Sequence, residues 1–391
     1  MRNRATTLIL CALVMLVDGY DLFAIPLALP HLVKQFGIAA PDFSVAISAV
    51  LVGLGGGALF LAPLGDRFGR RPLVIASAAV MSLATFGTAT GTGVWSFAGW
   101  RLLTGLGLGA CLPNVTSLVS EMAPPGWRAG TVTLVSCAIS IGSVVAGTIT
   151  PVLVARGGWP ALFLAPGAFT LVLTLLLFLL LAESTKLQES RAGPKASLLG
   201  PFEPQYAFAT LVFVGLYTVN AFALYMLNSW LPTLLPKAGF SVAAGSWMSA
   251  GMQAGGLVGG LTLSLFLDRS KTVAALGTAY LLVAAALAMF SLVPAQAATW
   301  SILLMIVGGG ISGPLLASMA VGTGFYPPRM TSAAIGVAVA VGRLGAIAGP
   351  FVGGQLIRSG FGPAPFFLAL IVPVLVCAGW VLMIPKVRKP A

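Results

Sequence analysis

Apolar stretches long enough to cross a membrane recur along this chain so closely that little else fits between them. They fall at roughly 6–30, 43–64, 72–92, 94–120, 128–154, 160–182, 206–233, 243–267, 272–293, 299–324, 330–357 and 362–385. A helix needs about 20 residues to span the hydrocarbon core, and lipid offers no partner to a backbone N–H or C=O, so segments of this kind must be helices. Composition agrees. Of 391 residues, 58% are hydrophobic and 8% charged, against about 25% charged in a soluble domain. A soluble enzyme, a nucleic-acid binder and a disordered chain are excluded. The expected fold class is an all-α membrane protein with twelve transmembrane helices.

The net charge of +12 is a matter of placement. With a cytoplasmic N-terminus, fifteen of the 21 Lys and Arg fall on inside segments. Lys34, Arg156, Lys237 and Arg358 fall outside, and Arg101 and Arg343 lie within spans. This is the positive-inside pattern. It predicts both termini in the cytoplasm and contact with anionic lipid, and no role for nucleic acid. Arg2 and Arg4 before an apolar run imitate a signal peptide, but Asp18 and Asp21 interrupt that run and no A-x-A site follows, so it reads as a retained first span. The four cysteines sit in apolar runs without metal-ligand spacing and read as small packing residues.

The one long polar connection, 183–205, separates six spans from six: a bundle over 1–182, a cytoplasmic linker over 183–205 and a bundle over 206–391. The halves repeat at an offset of 202. Asp66-Arg67 maps onto Asp268-Arg269, Pro30 onto Pro232, Gly37 onto Gly239, Gly53 and Gly57 onto Gly255 and Gly259, and Arg156 onto Arg358, while Pro124-Pro125 maps onto Pro327-Pro328 with one extra residue. Two pseudo-symmetric six-helix bundles of parallel orientation are a transporter architecture, whose substrate site is expected near the midplane where the repeats meet.

Between spans 2 and 3 stands Leu64-Gly65-Asp66-Arg67-Phe68-Gly69-Arg70-Arg71-Pro72. It resembles the major facilitator superfamily signature G-x-L-x-D-R-x-G-R-R, with Ala62 at the first glycine. Glu121 with Arg128 is similar to that superfamily's E-x6-R element. Glu183-Ser-Thr-Lys186 resembles its P-E-S-P-R element, degraded at Ala182 and Thr185. The resemblance implies that Asp66, Arg67, Arg70, Glu121, Arg128 and Glu183 form a cytoplasmic gate. The second-half copy, Asp268-Arg269-Ser270-Lys271, lacks the glycines, so the first half should dominate. Asp18-Gly19-Tyr20-Asp21 in span 1 looks like the D-G-x-D of the aromatic acid:H+ symporter family. Arg101 with Gly105, Gly107 and Gly109, the run Asn228–Thr233, and Gly342-Arg343-Leu344-Gly345 suit that family too. Gly349-Pro350 with Gly353-Gly354 matches the core of an antiporter motif but stands in span 11, whereas span 5 departs from it, which weighs against a drug antiporter.

The same residues carry a reading of their own. A charged residue at the centre of a span costs ~2.5–3.5 kcal/mol on insertion scales, so Asp18, Asp21 and Arg101 must pair or line water. Asp21 lies ~14 Å from the outer end of span 1 and Arg101 ~10 Å deep in span 4, counting 1.5 Å per residue. A guanidinium bridges that difference. Asp18 lies one turn deeper on the same face. The expectation is an Asp21–Arg101 pair with Asp18 as deeper partner. Protonation would free the cation for an anionic substrate, so that proton and anion favour each other's binding. The alternative is a static pair locking spans 1 and 4. Arg343 has two readings, a carboxylate ligand or a cation satisfied by helix-end carbonyls. Tyr20, Asn114, Tyr225, Asn228, Trp230 and Gln253 likewise read either as substrate contacts or as helix-packing groups. His31 reads as a surface residue rather than a relay.

Together with the resemblance, these observations imply an inner-membrane, monomeric secondary transporter. It would import a small aromatic carboxylate of benzoate or hydroxybenzoate type by proton symport and alternating access, with no cofactor beyond the coupling proton. Another organic acid or a nicotinate-like anion, or export, are the alternatives. An intramembrane aspartyl protease needs acids facing each other from two helices, and a metalloenzyme needs a His or Cys cluster. The chain has one His.

Overall fold

The computed structural model describes residues 4–124, 127–183, 200–267, 272–323, 325–326 and 328–387. Asp268, Arg269, Ser270 and Lys271, with Lys186 and most of the linker, lie outside the described residues. The chain divides into two compact units, Met1–Gly193 and Pro194–Ala391.

In the first unit, α1 (Arg4–Phe36) leads through a short 3-10 turn to α2 (Ser44–Gly56), which continues as a π-helical turn over Gly57–Leu61. The five-residue α3 (Leu64–Phe68), α4 (Arg70–Ala89), α5 (Val94–Met122), α6 (Arg128–Gly157) and α7 (Ala161–Leu180) follow. The second unit holds α8 (Pro204–Lys237), α9 (Val242–Leu267), α10 (Thr272–Met289), α11 (Ala297–Thr323), α12 (Pro328–Arg358) and α13 (Pro363–Met383). Among the described residues there is no strand, and eleven segments are long and apolar enough to cross a membrane. The stretch from Ala40 through α2 and α3 to Phe68 counts as one of them, and α9, which is not among the eleven, stands at the eighth expected span, 243–267. The first span runs further than its sequence suggested: α1 passes through Pro26 and Pro30 to Phe36. In membrane helices, neighbouring helices can satisfy the carbonyls that a proline leaves free.

Each unit pairs its helices by the same plan. α2 lies against α5 as α9 lies against α11, α1 against α6 as α8 against α12, and α4 between α5 and α7 as α10 between α11 and α13. Missing Cβ atoms permit the closest approaches, and they repeat. Gly105 faces the Val50 carbonyl, and Gly308 the Met252 carbonyl. Gly107 sits against Met81 and Ser77, and Gly310 against Val283 and Ala279. Gly142 meets Leu16, and Gly345 meets Thr218. The early helices thus correspond at 202 residues, and the glycines of the α5/α11 and α6/α12 pairs at 203.

Small residues bring backbones together where lipid supplies no hydrophobic drive between helices. Aromatic clusters close the end of each unit: Phe36, Phe43, Phe97, Trp159 and Phe163 in the first, and Phe240, Phe290, Trp300 and Phe367 in the second.

Candidate functional site

Arg101 of α5, Asp21 of α1 and Thr85 of α4 are 0%, 1% and 1% exposed. Arg101 Nη1 stands 3.4 Å from Asp21 Oδ1, and its Nη2 donates to the backbone carbonyl of Asp21. The Thr85 hydroxyl lies 3.4 Å from the same Oδ1. Arg101 Nε has no hydrogen-bond partner among the described residues. The guanidinium is therefore fixed at one edge and keeps one buried N–H in reserve. Asp18, one turn away on α1, is buried within electrostatic reach of Cys111 on α5.

The repeat supplies a control. The offsets seen in the packing place Ala223, Leu287 and Leu304 where the first unit has Asp21, Thr85 and Arg101, and all three are buried. Asn220 stands at the position of Asp18, its amide donating to the Tyr280 hydroxyl at 2.5 Å. One fold thus accepts a charged triangle in one unit and an apolar one in the other.

At the junction of α3 and α4, Arg70 is the centre of a charged network. It pairs with Glu121 at the end of α5 and, at 3.6 Å, with Asp66. Gly69, with φ of 110°, makes the turn that brings these groups together. As the residue before α4 it offers no side-chain cap. Glu183 takes that role from beyond α7, accepting the Arg71 backbone N–H at 3.2 Å. The Arg71 guanidinium in turn donates to the Phe178 carbonyl in the last turn of α7, at 2.5 Å. Arg67 lies over the Phe68 ring, 5.3 Å from its centroid, and Arg128 is exposed at the head of α6.

The remaining candidates divide. Tyr20 donates to the Leu162 carbonyl at 3.0 Å, and Trp230 to the Pro350 carbonyl at 2.9 Å. The Asn114 amide donates to the carbonyls of Ala62 and Ala110, and its Oδ1 fills the place a Cβ would take at Gly65. Each of the three thus has a backbone carbonyl as partner. In the second unit, Arg343 is half-buried and within electrostatic reach of Tyr217, whose ring rests on Gly342, and Tyr225 is close to the same phenol. Asn228 Oδ1 is buried without a donor among the described residues, and Gln253 is half-buried on α9. An apolar groove of about 400 Å³ beside Gly255, Gly259 and Met305 offers a carboxylate no free donor among the described residues: the one hydroxyl among those lining it, Thr262, is bonded to the Val258 carbonyl.

The Major Facilitator Superfamily profile matches residues 11–323 and 213–391. The chain belongs to this superfamily. A 3-(3-hydroxy-phenyl)propionate transporter of Escherichia coli K12 is 32% identical, covering 98% of this chain and 94% of its own. A gallate transporter of Pseudomonas putida is 28% identical over 95% and 89%, and the 4-hydroxybenzoate transporter PcaK of Pseudomonas aeruginosa is 29% identical over 96% and 91%. Among solved structures, a bacterial homolog of the lysosomal transporter Spinster, inward-facing and occupied, superposes with a TM-score of 0.78 at 18% identity over 100% and 99% of the two chains. A D-xylose-proton symporter does so at 0.77, with 17% identity over 98% of each. Both show the fold. As a member of the superfamily the chain is a multi-pass membrane transporter rather than an enzyme.

Sequence reasoning missed Thr85, Arg71 and Tyr217 as partners of these groups. Thr85 had one available signal, its replacement by Leu287 in the repeat.

Proposed function

We propose that this transporter imports hydroxylated aromatic monocarboxylates by proton symport and alternating access. It would work as a monomer in a bacterial inner membrane, with both termini cytoplasmic and the proton as its coupling ion. One observation carries the reading: a fully buried Asp21–Arg101 pair whose counterpart in the other unit is apolar. Buried ion pairs are weak stabilisers, and removing both partners is often neutral. Intramembrane charges mark pathways.

Asp21, with Asp18 beside it, takes the proton. Neutralising Asp21 leaves Arg101 uncompensated, and its free Nε–H then favours an incoming carboxylate, which couples the two bindings as one linkage. The three relatives are named for acids that share a carboxylate, a ring and a phenolic hydroxyl. Asn228 Oδ1, a buried acceptor without a donor among the described residues, suits that hydroxyl, because leaving such a group unpaired is costly. Tyr225, Gln253 and Arg343 are further candidate substrate contacts, and the Arg70 network is the cytoplasmic gate.

The test is uptake by reconstituted vesicles of labelled benzoates, organic acids and sugars under an imposed pH gradient, with Asp21→Asn alongside. Accumulation of hydroxybenzoates by the parent and its loss in Asp21→Asn is the expected result. Uptake of a sugar but no acid, or full gradient-driven accumulation by Asp21→Asn, overturns the reading.

A further inference from the structure

We propose that Thr85 is a positioning residue for the Asp21 carboxyl, and that its hydroxyl sets the pH at which the carrier loads its proton. The inference rests on the coupling role proposed for Asp21. It begins with where threonine hydroxyls go in this unit. Thr88, Thr104, Thr150 and Thr174 each return the hydroxyl to the carbonyl four residues back on their own helix, the default for a buried threonine in a helix. Thr85 is as buried as they are, yet its hydroxyl lies against a carboxylate on another helix.

The repeat gives an independent observation. Leu287 occupies the same packing position in the second unit, fully buried, so the site between the helices is well filled by an apolar side chain. The hydroxyl occurs in the unit that also has Asp21 and Arg101, and it is absent where those are Ala223 and Leu304. Polar character at the three positions is present together or absent together.

The chemistry explains what a hydroxyl adds. A charged Asp21 needs donors, and Arg101 and Thr85 both point at Oδ1. A protonated Asp21 needs an acceptor for its own O–H, which a guanidinium cannot supply. A threonine hydroxyl can donate to the first form and, by turning, accept from the second. The bond to the charged form is the stronger, so its loss shifts the balance toward the protonated form.

The other titratable or charged groups around Asp21 are few. Asp18 and Tyr20 flank it on α1, with Cys11 further along and Arg4, His31 and Lys34 towards the helix ends; α5 brings Arg101 and Cys111, with Glu121 at its end; α6 brings Cys137 between its end arginines, Arg128 and Arg156. α4 brings Arg70 and Arg71 at its far end. α2 and α7 carry no titratable side chain.

The experiment uses the full chain in liposomes with labelled 4-hydroxybenzoate, reading gradient-driven uptake against pH, and counterflow without a gradient as the report of a folded carrier. Thr85→Val and Thr85→Ala are expected to keep counterflow and to move the midpoint of uptake up by about 0.5–1 pH unit, a full unit being tenfold in proton affinity. Thr85→Ser, which keeps the hydroxyl, stays within about 0.2 unit of the parent. A parental midpoint in Thr85→Val or Thr85→Ala with counterflow intact overturns the inference, and so does a shift in Thr85→Ser as large as theirs. Asp21→Asn separates the two levels. If it loses accumulation while the Thr85 variants stay at the parental midpoint, only the role of Thr85 falls. If it accumulates fully, the coupling role falls first.

Discussion

The two units are built on one plan and differ where it matters chemically. Both bring the second and fourth long helices together on glycines that meet a facing carbonyl, Val50 in one and Met252 in the other. Both set the third long helix between the fourth and the sixth. At three corresponding positions the first unit has Asp21, Thr85 and Arg101, and the second Ala223, Leu287 and Leu304. The apolar set shows that this packing needs no charge there. What the charged set contributes has to be sought in the transport cycle, since desolvating two ions offsets most of what their attraction returns.

Copying one triangle into the other unit is the strongest way to break this comparison. Arg101→Leu alone leaves a buried carboxylate without its cation and should cost about 3–5 kcal/mol, read as thermal unfolding in detergent. The triple variant Asp21→Ala/Thr85→Leu/Arg101→Leu reproduces the second unit and should return to within about 1–2 kcal/mol of the parent while transporting nothing. A triple variant as unstable as the single one would mean that the polar triangle is needed for packing. The shared part of the plan predicts equal responses. Gly105→Ala and Gly308→Ala each drive a methyl into a facing backbone and should each lose about 1–3 kcal/mol. A large loss at one and none at the other would deny that the contacts are equivalent. The smallest effect concerns specificity. Asn228→Ala should weaken 4-hydroxybenzoate uptake about 5–10-fold and leave benzoate unchanged, the worth of about one hydrogen bond. An equal loss for both acids would remove Asn228 from ring recognition.

The helices were legible in the sequence because lipid imposes length and apolarity on every span, and the repeat was legible because Asp66-Arg67 and Asp268-Arg269 are rare in so apolar a chain. The Asp21–Arg101 contact was also within reach, since rise per residue sets depth and two opposite charges at similar depth have few alternatives. Tyr20, Asn114 and Trp230 show the limit. Whether a polar atom in a span meets a carbonyl of the next helix depends on how deeply small residues such as Gly65 and Gly353 let that helix approach, and composition does not carry this. Thr85 was hidden for another reason: a helical threonine ordinarily satisfies itself, and only its comparison with Leu287 marks it out.

The backbone anchor of Arg101 has an electrical consequence. Because Nη2 is bonded to the Asp21 carbonyl rather than to its carboxylate, that bond does not depend on the side chain's charge, and the cation is retained when the acid is protonated. If the proposed symport moves one proton per monoanion and Asp18 stays neutral throughout, the empty site would pair Asp21 with Arg101 and the loaded site would pair Arg101 with the substrate, each at zero net charge. Both reorientations then cross the membrane field without work, although a single uncompensated charge would meet about 2.3 kcal/mol per 100 mV. Such a carrier draws on the pH difference and is indifferent to voltage, so it would keep importing its acid in a cell whose membrane potential has collapsed.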